Sequence, residues 1–111
     1  MTKEYIDFNK ESIDVDKQIK ELNKKEGAYA FLNNKEVKIL EAEYFDGPSI
    51  RMFAPGKIMM ISEQDGISVL CNGGILNIFK IECENGKEFD KSNIEESKIE
   101  KGWFFKNAKE D

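Results

Sequence analysis

Histidine is absent from this chain of 111 residues, and arginine, tryptophan, proline and cysteine are scarce. Without histidine there can be no Ser–His or Cys–His nucleophile pair, histidine proton shuttle or histidine-ligated metal. No apolar run is long enough to span a membrane, and the opening segment MTKEYIDFNK lacks the apolar core of a secretory signal. We therefore expect a cytoplasmic protein that is not an enzyme on its own, with no cofactor and no membrane partner.

The two cysteines, Cys71 and Cys83, lie far apart, and neither belongs to a CxxC pair. In a reducing compartment such cysteines are more simply read as small buried hydrophobic residues than as a disulfide. A reactive thiol needs an electropositive setting, and Glu82 and Glu84 flank Cys83. We expect two free thiols with structural roles.

Charge is what the sequence has in abundance. Charged residues make up 35% of the chain, and 22 acidic against 17 basic residues give a formal net charge of −5. The apolar share of 40% can build one modest core, which suits a single domain over residues 1–111. Binding to nucleic acid grows with the number of phosphates neutralised, so RNA binding is expected only if the lysines share one face, and DNA is not an expected partner.

Hydrophobic periodicity divides the chain into one helix and several strands. Residues 12–25 place Ser12, Val15, Ile19 and Leu22 on one helical face, and Gly27 is suited to end the helix. Beyond Gly27 short apolar strands alternate with turns rich in Asn, Gly and Pro. The pattern predicts an all-β fold, a small OB-like Greek-key barrel of five or six strands, with an N-terminal amphipathic helix packed against it.

The strand pattern also predicts which side chains are buried. Along residues 37–45, strict alternation puts Val37, Ile39 and Phe45 on one side and Leu40, Ala42 and Tyr44 on the other. A short helix is expected from about Asn93. The predicted core contains Ile39, Leu40, Ile58, Ile61, Val69, Leu70, Leu76, Ile78 and Phe79.

Five segments in order resemble one known family, the C-terminal domain of methionyl-tRNA formyltransferases. They are Ile6-Asp7-Phe8-Asn9, Gly27-Ala28-Tyr29, Pro55-Gly56-Lys57-Ile58, residues 65–76 and Gly86-Lys87. The resemblance covers residues 6–105, although Lys24-Lys25-Glu26 stand where the family has Pro-Trp-Pro. It implies an OB-like barrel that helps to hold tRNA, while the catalytic residues of that family lie in a separate upstream domain. The expected function is thus a non-catalytic binding or accessory module.

Two other constellations could carry chemistry. The carboxylate pairs Glu41/Glu43 and Glu82/Glu84 would suit acid–base work or a cation, but a solvated strand face explains them better. Asn72-Gly73-Gly74 could cradle an anion through backbone N–H groups, yet it has no phosphate-binding signature and reads as a hairpin turn.

Three functional alternatives stay open beside the accessory module. One is a free-standing tRNA- or RNA-binding protein, and another is a docking subunit for a separate formyltransferase catalytic chain. A third is an unrelated role on the same barrel. Residues 58–61 and 103–105 could form a contact face or allow self-association, although a place in the core explains them more simply. The candidate RNA-binding residues, with Tyr29 and Phe53 as stacking partners, are Lys24, Lys25, Lys35, Lys38, Arg51 and Lys57.

Overall fold

The computed structural model describes residues 4–45 and 54–108. One α-helix precedes seven antiparallel strands, and a 3₁₀ helix, Ile94–Ser97, stands close to the site where the sequence predicts a short helix. The elements are α1 (Ser12–Asn23), β1 (Ala28–Leu32), β2 (Lys35–Tyr44), β3 (Ile58–Ser62), β4 (Gly66–Leu70), β5 (Ile75–Glu82), β6 (Glu88–Asp90) and β7 (Phe105–Lys106). No helix within these described ranges is long and apolar enough to cross a bilayer.

The strands form one curled sheet in the order β3-β4-β5-β2-β1-β7, and β6 pairs with β5 beside this path. Strands β3, β4 and β5 follow one another as hairpins, and β2 returns to lie next to β5. Three consecutive strands with a fourth lying beside the end of the series make a Greek key. The expected all-β barrel with an N-terminal helix is confirmed as a half-barrel of six antiparallel strands along the path.

Backbone hydrogen bonds join the two ends of the strand path. The N–H of Phe105 donates to the carbonyl of Gly56 at 2.7 Å, and the N–H of Ile58 donates to the carbonyl of Trp103 at 2.8 Å. The N–H of Gly102 completes the set by donating to the carbonyl of Ile58 at 2.9 Å. These bonds hold the sheet in its curled form. They also satisfy backbone N–H and carbonyl groups at the sheet edges that would otherwise face solvent.

Helix α1 packs on the sheet through Val15, Ile19 and Leu22, all of which are buried as predicted. Its first turn is tied to the β4–β5 connection, because the N–H of Ser12 donates to the carbonyl of Gly73 at 2.9 Å. The residues Asn72-Gly73-Gly74 form that connection, and the N–H of Cys71 donates to the carbonyl of Gly74 at 3.0 Å. The segment is therefore a hairpin turn, as the sequence indicates.

The prediction of faces along β2 is wrong at Ala42. The register between β2 and β5 shifts on both sides of Glu41, which is a β-bulge. The extra residue moves Ala42 onto the buried face with Val37 and Ile39, while Tyr44 is exposed. A strict two-residue period cannot locate such an insertion, because the bulge depends on the pairing partner and not on the strand's own pattern.

Most of the predicted core is confirmed, with three corrections. Leu40 and Phe79 are only partly buried, and each lies next to a buried strand neighbour, Ile39 or Ile78, that occupies the inner face. Ile61 is also partly exposed, although it packs against the core. The confirmed residues are Ile39, Ile58, Val69, Leu70, Leu76 and Ile78.

Both cysteines are free thiols, as expected, but their settings differ. Cys71 is fully buried within the core, whereas Cys83 is partly exposed and packs against its edge. Burial raises the pKa of the Cys71 thiol to about 12. At neutral pH Cys71 is therefore protonated and acts as a small apolar side chain.

Candidate nucleic-acid interface

Three of the predicted basic residues belong to the segments that come together at the end of α1. Lys24 and Lys25 follow the last turn of α1, and Lys38 lies on β2 with its side chain over the backbone of Gly27. The approach is so close that a Cβ on Gly27 would collide with Cε of Lys38. We call Lys24, Lys25 and Lys38 the lysine group.

Asn23 fixes the position of the lysine group. Its side-chain amide donates to the backbone carbonyl of Ile39 at 3.0 Å and to that of Leu40 at 3.3 Å. Its side-chain oxygen accepts a bond from the N–H of Ala28 at 3.1 Å. One side chain thus ties the end of α1 to both β1 and β2, and the neighbouring Lys24 is held beside β2.

Three rings lie next to the lysine group on the outer side of β1. Tyr5 stacks on Phe31, with ring centroids 4.9 Å apart, and meets Tyr29 edge-on at 6.5 Å. Nζ of Lys38 lies 5.9 Å from the centroid of Tyr29, which is within the range of a cation–π contact. Tyr5, Tyr29 and Phe31, each half-buried, form what we call the aromatic patch.

Acidic groups limit the positive charge of this surface. Glu36 lies opposite Phe31 in the β1–β2 register and accepts a 2.8 Å hydrogen bond from the hydroxyl of Tyr5. Glu26 stands between Lys25 and Gly27 in the chain and is partly buried. Glu82 lies opposite Lys38 in the register of β2 with β5. Three glutamates thus accompany the three lysines, and this surface carries no formal excess of positive charge.

The remaining predicted basic residues do not join the lysine group. Lys35 follows the β1–β2 turn and faces the opposite side of β2 from Lys38, because the two are three positions apart. Lys57 precedes β3 and forms an isolated β-bridge with Phe104, the residue just before β7. Arg51 and the proposed stacking residue Phe53 lie outside the described residues.

Sequence reasoning overlooked Lys106, which lies opposite Phe31 in the register of β1 with β7. Its neighbours in the chain gave no signal, because residues 107–111 read as a frayed tail. The pairing of β7 with β1 brings it to the aromatic patch. Lys106 could have been identified only from the pairing of β7 with β1, which local sequence patterns do not predict.

A cleft of about 500 Å³ opens at the end of the half-barrel where the β1–β2 turn, the β5–β6 turn and residues 97–103 converge. We call it the end cleft. Burial raises the pKa of the Cys83 thiol in this cleft, and the nearby Lys35 ammonium partly offsets that rise. The cleft is lined by apolar Leu32, Val37, Phe89, Ile99, Trp103 and Cys83 and by polar Asn33, Lys35, Glu84, Asn85, Ser97 and Lys98.

The other candidates for chemistry are surface features. Glu41, Glu43 and Glu84 are exposed, and Glu82 is partly so. Among residues 4–45 and 54–108, no three acidic or cysteine side chains come together in a way that could hold a metal ion. The geometry gives these carboxylates the solvated setting that the sequence favours.

The apolar segments considered for a contact face are divided between core and surface. Ile58 and Phe105 are buried, whereas Met60 is 51% exposed and Phe104 is 37% exposed. The prediction that these segments belong to the core therefore holds for their inward-facing members only.

An antiparallel half-barrel with one packed N-terminal helix defines an OB-like domain. Residues 1–98 match the family described as formyl transferase, C-terminal domain. The chain belongs to this family.

Similar proteins include the methionyl-tRNA formyltransferase of Rickettsia massiliae, 34% identical over 91 residues, and that of Agathobacter rectalis, 28% identical over 102 residues. The enzyme of the same name from Pseudomonas entomophila is 28% identical over 96 residues. These alignments cover 82%, 91% and 86% of this chain but only 27%, 32% and 29% of the relatives. The likeness thus concerns about a third or less of each relative's length.

Proposed function

We propose that this chain is a non-catalytic module that holds tRNA for formyl transfer to methionyl-tRNA. The observation that carries the proposal is the position of Lys38, which lies over Gly27, close in the chain to Lys24 and Lys25, and within reach of the Tyr29 ring of the aromatic patch. Single-stranded nucleic acid binds OB-like barrels through a basic groove and stacking rings. Membership of the formyl transferase C-terminal domain family supports tRNA as the particular RNA.

The net charge of −5 makes the location of the lysines decisive. An acidic protein gains little from non-specific attraction to phosphates, so binding requires several lysines to reach one stretch of backbone. The side chain of Lys38 lies over Gly27, and Asn23 fixes the end of α1, which Lys24 follows, to β2. Because the backbone that carries these lysines is held in place, less conformational entropy is lost when they meet phosphates.

The test is a tRNA titration at about 50 mM and about 200 mM salt. The triple variant Lys24→Gln, Lys25→Gln, Lys38→Gln should lower the slope of log K against log salt by about 2 to 3, since each lost phosphate contact removes about one unit. The matched control is Lys10→Gln, Lys17→Gln, Lys101→Gln, which makes the same charge change at exposed sites elsewhere. The proposal would be contradicted by equal decreases of the salt slope in the two triple variants, or by the absence of a tRNA complex at the lower salt concentration.

A second candidate function is docking onto a formyltransferase catalytic chain. It is favoured by Met60 and Phe104, large apolar side chains that stay exposed and are typical of interface anchors. Mixing with the separately expressed catalytic part of a related methionyl-tRNA formyltransferase should give a heavier species in light scattering. Met60→Ser with Phe104→Ser should abolish that species, and a single mass for each protein in the wild-type mixture would exclude docking.

A further inference from the structure

The end cleft is separate from the lysine group. Lys35 at the cleft faces the opposite side of β2 from Lys38, so the two surfaces do not share a lysine. At about 500 Å³, the cleft lies within the range of pockets that hold small ligands. Its function is therefore not explained by the interface described above.

The lining of the end cleft combines apolar side chains with charged and polar ones. Trp103 is partly exposed at the cleft, and buried Leu32 and Val37 form apolar surface beside it. A partly exposed indole offers a face on which a planar ring can stack. Binding of such a ring would remove the apolar surface of the cleft from contact with water, which is favourable.

The charges of the rim select an anionic ligand. Lys35 and Lys98 stand against a single acidic residue, Glu84. The backbone of Lys98 has a φ of 61°, a left-handed conformation that is uncommon for residues other than glycine. The amide side chains of Asn33 and Asn85 add hydrogen-bonding groups at the same rim, of the kind that reads the edge of a base.

We propose that the end cleft binds one unpaired nucleotide, with its base against Trp103 and its phosphate near Lys35 and Lys98. The inference rests on the proposed RNA-holding function, because that function selects a nucleotide among anions that carry a flat ring. The nucleotide is either part of an RNA strand or free, and the chemistry of recognition is the same in both cases.

The chain carries two built-in probes of the cleft. Trp103 is the single tryptophan of the sequence, and it lines both the end cleft and a neighbouring cavity that includes Phe31 and Lys106. A change in its fluorescence is therefore assigned to the end cleft only when the reactivity of Cys83 changes with it. Cys83 lines the cleft and is partly exposed, whereas Cys71 is fully buried. A thiol reagent applied to the native protein therefore modifies Cys83, and Cys71 serves as the internal reference that reacts only after unfolding.

The experiment titrates the whole chain with adenosine monophosphate, a six-nucleotide single-stranded RNA and the corresponding RNA duplex. We expect the single strand to quench Trp103 and to slow modification of Cys83, and the duplex to do neither, because its bases are already stacked. The double variant Lys35→Gln with Lys98→Gln should raise the dissociation constant obtained from the quenching titration by at least about tenfold. The triple variant of the lysine group is the control and should leave quenching by the mononucleotide unchanged.

The outcomes separate this inference from the proposed function. Quenching by the mononucleotide and not by the single strand assigns the cleft to a free nucleotide. If none of the three ligands changes Trp103 fluorescence or Cys83 reactivity, the cleft is not a nucleotide site. Salt-sensitive tRNA binding through the lysine group would in that case still stand by itself.

Discussion

The backbone N–H of Phe105 donates a 2.7 Å hydrogen bond to the carbonyl of Gly56, two residues before β3 begins. The N–H of Gly56 in turn donates to the carbonyl of Leu70, also at 2.7 Å. Gly56 has a φ of 92°, and a Cβ at this position would collide with the carbonyl oxygen of Phe105. The closure of the half-barrel thus depends on a residue that has no side chain.

Replacing Gly56 should destabilise the protein by two mechanisms at once. Gly56→Ala forces an alanine into a left-handed conformation and separates Gly56 from Phe105, so we expect a loss of about 3 kcal/mol in the free energy of unfolding. The urea midpoint at constant m-value measures it. Gly86→Ala is the control, because Gly86 has a φ of 85° with nothing near its Cβ position. Equal losses in the two variants would mean that the closing contact adds nothing.

Asn23 should control both stability and RNA binding. Asn23→Asp keeps the acceptor for the N–H of Ala28 and removes the donor to the carbonyls of Ile39 and Leu40. We expect a loss of about 1 kcal/mol in stability and weaker tRNA binding, because Lys24 is no longer held beside β2. Asn72→Asp makes the same charge change at an exposed site on the β4–β5 turn. If it weakens tRNA binding as much as Asn23→Asp does, charge and not position explains the effect.

The ion pair between Asp16 and Lys20 on α1 should show measurable coupling. Nζ of Lys20 lies 2.8 Å from Oδ2 of Asp16, and this hydrogen bond raises the pKa of Lys20. Asp16 is 4% exposed, and its Oδ1 has no hydrogen-bond partner among residues 4–45 and 54–108. A double-mutant cycle with Asp16→Ala and Lys20→Ala should give a coupling energy of about 1 kcal/mol, above that of exposed i,i+4 pairs. Additive effects of the two substitutions would show that burial brings no extra coupling.

The buried thiol of Cys71 should make stability fall in alkaline solution. Burial raises its pKa from 9.0 to about 12, so between these values the unfolded chain loses a proton that the folded chain keeps. The free energy of unfolding should therefore decrease as pH rises above about 9, by up to about 1.4 kcal/mol per pH unit from this group. Cys71→Ala should remove that part of the slope in urea unfolding at pH 8, 9 and 10. An unchanged slope in the variant would contradict the assignment.

Local patterns predicted the elements well because local chemistry controls them. The spacing of Val15, Ile19 and Leu22 predicts helix α1. The β1–β2 turn is formed by Asn33 and Asn34, which adopt φ values of 52° and 65°. The face of Ala42 could not be predicted, since the bulge at Glu41 arises from pairing with β5. Long-range pairing likewise brings Lys106 to the aromatic patch.

The candidate site was predictable in kind and not in arrangement. Counting lysines could identify Lys24, Lys25, Lys35, Lys38 and Lys57, but it could not divide them among separate surfaces. The side chain of Lys38 lies over the chain just after Lys24 and Lys25 because Gly27, which has no side chain, leaves room for it. Lys35 lies at the end cleft because it is three positions from Lys38 on β2, and residues an odd number of positions apart on a strand face opposite sides. This relation can be applied only when the bounds of the strand are known.

The bond between Gly56 and Phe105 also has a consequence for the order of folding. Hairpins such as β3–β4 and β4–β5 close over short loops, whereas this contact joins positions far apart in the chain. Loop-closure entropy must be lost before such a contact contributes any stability. We therefore expect the open sheet to form before these bonds close it, so that the edges of β1 and β3 are exposed to other chains until the closing step.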